Sequence, residues 1–309
     1  ALRTRPAIEA FQRGLDFDLH HADFAGIGFG RRASEIKAQS FEDIRLTLDE
    51  KIAQGAKLAL SKLQVARRAG VPLIVDNTLA SPYLCRPLEL GANIVVHSLT
   101  KFLGGHGTSM GGIIVDGGNF DWGQNDRFPT LTTTHYAFQQ VNLWEEFGPL
   151  AFIMRVRSEG MYNVGPCLSP TNAFHLLQGL ETLGIRMERH MANTQKMLDY
   201  LTKHEQIAWV KHPLLADHPD HEIAKRLMPR GAGSIIACGI KGGRDAGRAF
   251  IESVELASHL ANVGDAKTLV IHPGSTTHSH LTPEAIKNAG LTDDMIRISV
   301  GLEDFDDIA

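Results

Sequence analysis

Two side chains that could form a cofactor site follow short apolar runs of the sequence. Asp76 comes directly after the run Val71–Val75, and Lys101 follows the run Ile94–Val96. Such runs are typical of strands buried on both faces of a parallel sheet, and ligands bind at the carboxyl ends of those strands. An amine there can condense with an aldehyde to form a Schiff base, and a carboxylate can keep a pyridine nitrogen protonated. Pyridoxal phosphate requires both groups.

Small polar residues and glycines surround the lysine. The hydroxyls of Ser98 and Thr100 could hold phosphate oxygens, and Gly104, Gly105 and Gly107 would let backbone approach a ligand without a Cβ clash. The spacing alone leaves a second interpretation open, because a carboxylate that caps a turn and a surface lysine after a strand produce the same pattern.

The elements that would position these residues follow an α/β rhythm. A helix ends near Gly70, and a short helical or turn segment, Pro82–Leu90, separates the first two apolar runs. A third run, Gly111–Val115, follows the glycines. Strand, crossover and strand in this order predict an α/β layer on a largely parallel sheet.

The second half of the chain predicts a different arrangement. Residues 117–165 are typical of an irregular insertion, and Ser169 with Pro170 predicts the start of one long helix. Strands at Ser234–Ile240 and Ile296–Val300, with helices near 244–261 and 283–289, predict an α+β C-terminal domain. An apolar stripe predicts the buried face of the long helix, and its members are Phe174, Leu177, Leu180, Leu183, Met187 and Met191.

Composition excludes several classes of function. Of the 309 residues, 43% are hydrophobic and 21% charged, which is typical of globular proteins. A net charge of −4 gives no reason to expect nucleic acid or a membrane surface as a partner. We expect neither a membrane span nor a secretory signal. Three widely spaced cysteines favour reduced thiols and a cytoplasmic location.

Two further groups of residues have other interpretations. His272, His278 and His280 lie within nine residues and could bind zinc, the commonest use of clustered histidines. Cys85 is expected to be packed, because no base that could activate it lies nearby in the sequence. Tyr83 is likewise expected to pack under the sheet.

Longer stretches resemble the cysteine/methionine-metabolism family of pyridoxal-phosphate enzymes, and most closely its O-acetylhomoserine sulfhydrylase branch. The resemblance covers roughly residues 64–309, whereas residues 1–63 do not match. It implies a pyridoxal-phosphate-dependent transferase fold of type I, in which a large domain with a mostly parallel sheet precedes a smaller α+β domain. The matching segments are Val75–Thr78, Pro82–Pro87, Gly91–Lys101, Gly104–Asp116, Gly165–Pro170, Leu176–Leu183, Arg186–His190, Gly264–Leu269, His272–His278 and Arg297–Glu303.

The resemblance implies a role for each candidate residue. Lys101 would be the Schiff-base lysine, Asp76 the partner of the pyridinium nitrogen, and Ser98 and Thr100 phosphate contacts. Arg297 would bind the substrate α-carboxylate.

The strand pattern agrees independently with the assignment of Arg297, because the apolar residues of Ile296–Val300 alternate and leave the arginine on the opposite face. An arginine there is either solvated or bound to an anion. By the same resemblance, Thr268 would lie near the substrate carboxylate, and the loop that begins at His272 would hold no metal.

The function implied is γ-replacement on O-acetylhomoserine with sulfide, which gives homocysteine and acetate, in a homo-oligomer. Cystathionine γ-synthase and methionine γ-lyase activities would use the same lysine, aspartate and arginine. Another alternative is an inactive partial homologue, because Gly26–Gly30 is no replacement for the family's phosphate-binding loop. The implied domains are an unmatched segment 1–63, an incomplete cofactor-binding core 64–187, and a C-terminal domain 188–309.

Overall fold

The structure, a computed structural model, describes residues 65–135, 140–277, 279, 282 and 290–309. The segment Gly26–Gly30 and the helix predicted near 283–289 lie outside these residues. Residues 65–69 are helical and Gly70 adopts φ +64°, which confirms the predicted helix end.

A three-stranded sheet carries the first candidate residues. It consists of β1 (Ile74–Asp76), β2 (Ile94–Ser98) and β3 (Gly112–Asp116), in that order. A short helix, α1 (Ser81–Leu84), lies between β1 and β2. β1 and β2 are parallel as predicted, but β3 is antiparallel to β2. The loop after β2 ends beside the residue at which it began, because Leu99 N donates to Gly111 O at 2.9 Å. The chain then runs back along β2 as β3.

The predicted irregular insertion contains short elements around an aromatic core. Trp122 and Phe128 are fully buried there, at 0% and 1% exposure, and their rings meet edge to face at 5.2 Å. Strands β4 (Thr134–His135) and β5 (Val141–Asn142) form an antiparallel pair. The helices are α2 (Pro129–Thr132), α3 (Leu143–Phe147), α4 (Ala151–Arg155) and α5 (Tyr162–Val164), with helical turns at Gly148–Leu150 and Val156–Met161.

The predicted single long helix is two helices, α6 (Pro170–Glu181) and α7 (Leu183–Leu201). Ser169 is the N-cap of α6 as predicted, and its side chain accepts from Asn172 N. The chain turns at Thr182, where ψ is 3°. The prediction of one continuous buried stripe is therefore wrong: the members on α7 are buried, but those on α6, Phe174, Leu177 and Leu180, are exposed.

A five-stranded sheet forms the C-terminal part, in the order β6-β7-β10-β9-β8. Its pairs are antiparallel except β8 with β9. The helix predicted over 244–261 ends at Ser253, because Val254 is extended and the chain continues into β8, which pairs with β9. The strands are β6 (Ile207–Lys211), β7 (Ile235–Ile240), β8 (Ser258–His259), β9 (Leu269–Ile271) and β10 (Met295–Ser299); the helices are α8 (His221–Leu227), α9 (Gly243–Ser253) and α10 (Phe305–Ile308), with a 3₁₀ turn at Pro273–Ser275.

Helix α7 joins the two sheets. Its Met197 and Leu198 pack on the C-terminal sheet, and its Leu183 and Met187 pack with Phe102 beside the candidate lysine. Among the described residues, no helix is both long and apolar enough to cross a membrane.

Candidate active site

Lys101 lies in a wide helical turn, Leu99–Leu103, at the end of β2. The turn is closed by Gly104 N, which donates to Leu99 O at 2.8 Å, and by Gly105 N, which donates to Lys101 O at 2.7 Å. The backbone of Lys101 departs from helical values (φ −88°, ψ −132°). Its side-chain amine donates to Asn262 Oδ1.

Arg297 reaches the same asparagine from the C-terminal sheet. Ile296 and Ile298 of β10 pack in the core, while Arg297 on the opposite face is 9% exposed, which confirms the predicted alternation. Its Nη2 donates to the backbone oxygen of Asn262 at 3.0 Å. One residue of the loop before β9 therefore contacts both the candidate lysine and the candidate arginine.

This proximity changes the acid–base behaviour of the amine. Burial lowers the pKa of Lys101 from its usual value, and the positive charge of Arg297 lowers that pKa further. Both effects disfavour the ammonium form. The neutral amine, which is the nucleophile and the base, is therefore more populated than in a solvated lysine.

Asp76 lies at the same edge of the sheet as Lys101. It ends β1 opposite Val96 of the parallel neighbour β2, and its side chain is exposed. One carboxylate oxygen accepts from Thr78 N at 3.0 Å. Thr78 Oγ1 in turn accepts from Ser98 N at 2.8 Å, so the ends of the two strands are tied together.

Thr100 and two of the glycines that follow it have close neighbours within the protein. Thr100 Oγ1 accepts from Gly111 N at 3.2 Å and keeps its own O–H as a donor. A Cβ at Gly105 would overlap the guanidinium of Arg186, and one at Gly107 would lie 2.6 Å from Asp265 Oδ2. A Cβ at either position would therefore meet the end of a protein side chain, and the positive φ of both residues favours glycine, whereas room for a ligand stays a prediction.

Thr268 has contacts other than those expected of a substrate-binding residue. It is 1% exposed, its hydroxyl donates to Glu303 Oε2 at 2.9 Å, and its oxygen accepts from Gly301 N at 2.9 Å. The O–H group is thus already used within the fold. Contact with a substrate carboxylate stays a prediction.

The other singled-out residues have structural contacts. Nδ1 of His272 accepts from Ser275 N at 3.1 Å and Nε2 donates to Asp293 O at 2.8 Å, so both ring nitrogens are occupied. His278 and His280 lie outside the described residues. In the part of the chain that the structure describes, no group of three metal-binding side chains comes together.

Cys85 packs as expected, whereas Tyr83 is half-buried beside α7 and not under the sheet. Burial raises the pKa of the Cys85 thiol, and the residue packs beside a small apolar cluster around Met228. Tyr83 packs at the edge of the cluster that includes Phe102, and its hydroxyl donates to Glu188 at 3.1 Å.

Sequence reasoning missed two residues of this region, Asn262 and Arg186. Asn262 lies 161 positions from the lysine that it contacts, and no local pattern marks it. Arg186 binds the carbonyl oxygens of the turn after Lys101. It lies in a segment that resembles the family, Arg186–His190, but no role was predicted for it.

Comparison with known proteins decides the family. A family described as Cys/Met metabolism PLP-dependent enzyme matches residues 60–309. The chain belongs to this family. It is therefore a member of a pyridoxal-phosphate-dependent enzyme family, as the sequence predicted.

Individual relatives agree with this placement. The chain is 47% identical over 304 residues to O-acetyl-L-homoserine sulfhydrylase of Leptospira meyeri, covering 95% of this chain and 68% of that protein. It is 49% identical over 247 residues to homocysteine synthase of Schizosaccharomyces pombe, covering 79% and 58%. The first of these alignments reaches into residues 1–63, where the sequence analysis found no match.

A solved structure confirms the fold class. A putative O-acetylhomoserine (thiol)-lyase from Campylobacter jejuni, solved with a pyridoxyl-lysine phosphate, aligns with a TM-score of 0.77 and 35% identity over 81% of this chain and 60% of that chain. The predicted α/β fold of pyridoxal-phosphate enzymes of fold type I is thus confirmed. The chain spans 68% of the Leptospira protein, 58% of the Schizosaccharomyces pombe protein and 60% of the solved chain.

Proposed function

We propose that this chain carries the catalytic lysine and the carboxylate-binding arginine of an enzyme that replaces the acetate of O-acetylhomoserine with sulfide. The observation that carries the proposal is the position of Asn262, which binds the Lys101 amine through its side chain and Arg297 through its backbone oxygen. The names of the relatives supply the substrate class, since they are an O-acetyl-L-homoserine sulfhydrylase and a homocysteine synthase.

The residues present fit pyridoxal phosphate. Lys101 offers an amine whose pKa is lowered by burial and by Arg297, and Asp76 offers an exposed carboxylate at the same sheet edge. Lys101 would hold the cofactor covalently, Asp76 would pair with its ring nitrogen, and Ser98 and Thr100 would contact its phosphate. When bound, the cofactor accepts the electrons released at the substrate α-carbon.

The residues of the site then have distinct roles. Arg297 binds the substrate α-carboxylate, for which its planar guanidinium is well suited, and this contact orients the amino acid. The Lys101 amine takes the proton from Cα and must deliver it before it takes one from Cβ, because an ammonium group cannot accept a second proton; it returns a proton to each carbon as the product forms. Asn262 holds the amine close to the bound carboxylate.

The overall reaction is balanced without a further reagent. The Cγ–O bond of O-acetylhomoserine breaks and acetate leaves with the electron pair. The sulfur of hydrosulfide then forms the new Cγ–S bond. The products are homocysteine and acetate, and no oxidant or reductant is consumed.

Product analysis tests the proposal. We expect the chain loaded with pyridoxal phosphate to form homocysteine from O-acetylhomoserine and sulfide, and a Lys101→Ala variant to form none. The sulfhydrylase assignment would be wrong if the loaded chain released α-ketobutyrate from methionine but formed no homocysteine, because that pattern indicates a γ-lyase.

We further propose the surroundings in which this activity occurs. The substrates are small molecules, the chain assembles as a homo-oligomer in the cytoplasm, and residues 64–187 and 188–309 act as the cofactor core and the C-terminal domain. The three widely spaced cysteines support the cytoplasmic location. Size-exclusion chromatography with light scattering would test the assembly, and a monomer would contradict it.

A further inference from the structure

Arg186 is a buried cation with neutral partners. It lies in the first turn of α7 and is 6% exposed. It donates to Phe102 O at 2.7 Å, to Leu103 O and Gly179 O at 3.1 and 2.6 Å, and to the hydroxyl of Thr182 at 3.0 Å. Burial lowers the pKa of its guanidinium. Placing a cation among neutral acceptors costs free energy, so packing alone is a poor explanation for an arginine here.

The contacts of Arg186 are concentrated on the peptide units that follow the candidate lysine. Gly105 N holds Lys101 O, and the guanidinium holds the next two carbonyl oxygens, those of Phe102 and Leu103. Three successive carbonyl groups are thereby fixed. Since Lys101 itself departs from helical geometry, these bonds determine the direction in which its side chain leaves the turn.

The surrounding backbone is shaped to admit the guanidinium. Gly105 has φ +74°, and a Cβ at this position would overlap Arg186. A Cβ at Gly179 would overlap the carbonyl oxygen of Gly104, so α6 packs directly on the turn. Arg186 also binds the carbonyl oxygen of Gly179 and so connects this helix to the turn.

We infer that Arg186 is a positioning residue, which holds the turn after Lys101 so that the amine stays at Asn262 beside Arg297. The inference rests on the proposed function, which it deepens. The reacting amine must be held to within about 1 Å, because a displacement of that size costs on the order of 100-fold in rate. Binding of the substrate carboxylate involves Arg297, which Arg186 does not touch, so the two kinetic constants respond differently.

The test replaces arginine by lysine, whose single amine cannot bind two carbonyl groups with one planar fork. We expect Arg186→Lys to lower kcat by about 100-fold while KM for O-acetylhomoserine stays close to that of the unmodified chain. Arg155→Lys is the matched control, since Arg155 is also buried but binds Thr130 O and Glu159, away from the turn. This control should lose stability and keep kcat.

A milder variant guards against loss of folding. Thr182→Val removes one acceptor of Arg186 and leaves the guanidinium in place, so we expect a smaller fall in kcat in a folded protein. Equal losses of activity in Arg186→Lys and Arg155→Lys, each in proportion to the loss of stability, would overturn the inference and leave Arg186 a structural residue.

A second measurement separates this inference from the proposed function. Borohydride reduces the bond between the cofactor and its attachment lysine and so leaves a stable pyridoxyl label on that lysine. This labelling occurs without catalytic turnover. If the unmodified chain forms no homocysteine, the proposed function fails. Slower labelling in Arg186→Lys than in Arg155→Lys would still support positioning, and equal labelling would refute it.

Discussion

Asn262 offers the sharpest test of how the site is assembled. Its side chain accepts from the Lys101 amine, but Arg297 binds its backbone oxygen. An Asn262→Ala variant therefore loses only the contact with the lysine. The bond between the asparagine and arginine positions remains, because alanine has the same backbone carbonyl.

The expected effect follows from the energy of one neutral hydrogen bond, about 0.5–1.5 kcal/mol, because the reacting form of Lys101 is the neutral amine. At about 1.4 kcal/mol for each tenfold change, kcat should fall by about 2- to 10-fold. KM for O-acetylhomoserine should change little, since Arg297 keeps its position. The assay is steady-state formation of homocysteine at varied O-acetylhomoserine and saturating sulfide, with product measured by mass spectrometry.

Asn125→Ala is the control, because this amide binds Gly70 O far along the chain from the lysine turn. We expect its kinetic constants to match those of the unmodified chain. A raised KM with unchanged kcat in Asn262→Ala would refute the reasoning, since it would show that the amide binds substrate and does not position the lysine.

Three further predictions concern charge, pH and packing. Arg297→Met removes a positive charge whose presence lowers the pKa of Lys101, so that pKa should rise, and the pH profile of borohydride labelling at Lys101 should move to higher pH; an unchanged profile would contradict the coupling. Burial lowers the pKa of His190 to about 4, below its value in the unfolded chain. The unfolded chain therefore binds a proton at His190 before the folded protein does, and the free energy of unfolding falls by about 1 kcal/mol per pH unit between about pH 6.5 and pH 4. The free energy of unfolding in urea should be lower at pH 5.5 than at pH 7, and this difference should be smaller in His190→Gln. Gly179→Ala places a Cβ against the backbone oxygen of Gly104, so we expect a destabilisation of about 1–3 kcal/mol by denaturant unfolding, and an unchanged midpoint would show that α6 does not pack so closely.

The sequence predicted the local features that depend on periodicity and capping. Arg297 lies opposite the core-facing side of its strand because side chains alternate along any strand. Ser169 caps its helix because its side-chain oxygen can accept from a backbone amide three residues later. Asp76 and Lys101 share a sheet edge because β1 and β2 are parallel, and the buried apolar runs indicated this arrangement.

Features set by distant contacts were not predictable in the same way. The apolar spacing continues past Thr182 without interruption, although the chain turns there. The spacing also cannot show which apolar side chains are covered, and Phe174 is exposed among the described residues. The antiparallel orientation of β3 is set by its pairing with β2 after the intervening loop, where Leu99 N donates to Gly111 O. Asn262 meets Lys101 only because two sheets pack around α7, so no motif near either residue could have paired them.

The attachment of the cofactor to Lys101 is the central claim, and one experiment addresses it directly. The chain is incubated with pyridoxal phosphate, reduced with borohydride, digested and analysed by mass spectrometry. We predict a single pyridoxyl phosphate group on the peptide that contains Lys101, and no such group in a Lys101→Ala variant. The same yield in the variant, or a modification at a different lysine of the unmodified chain, would contradict the account.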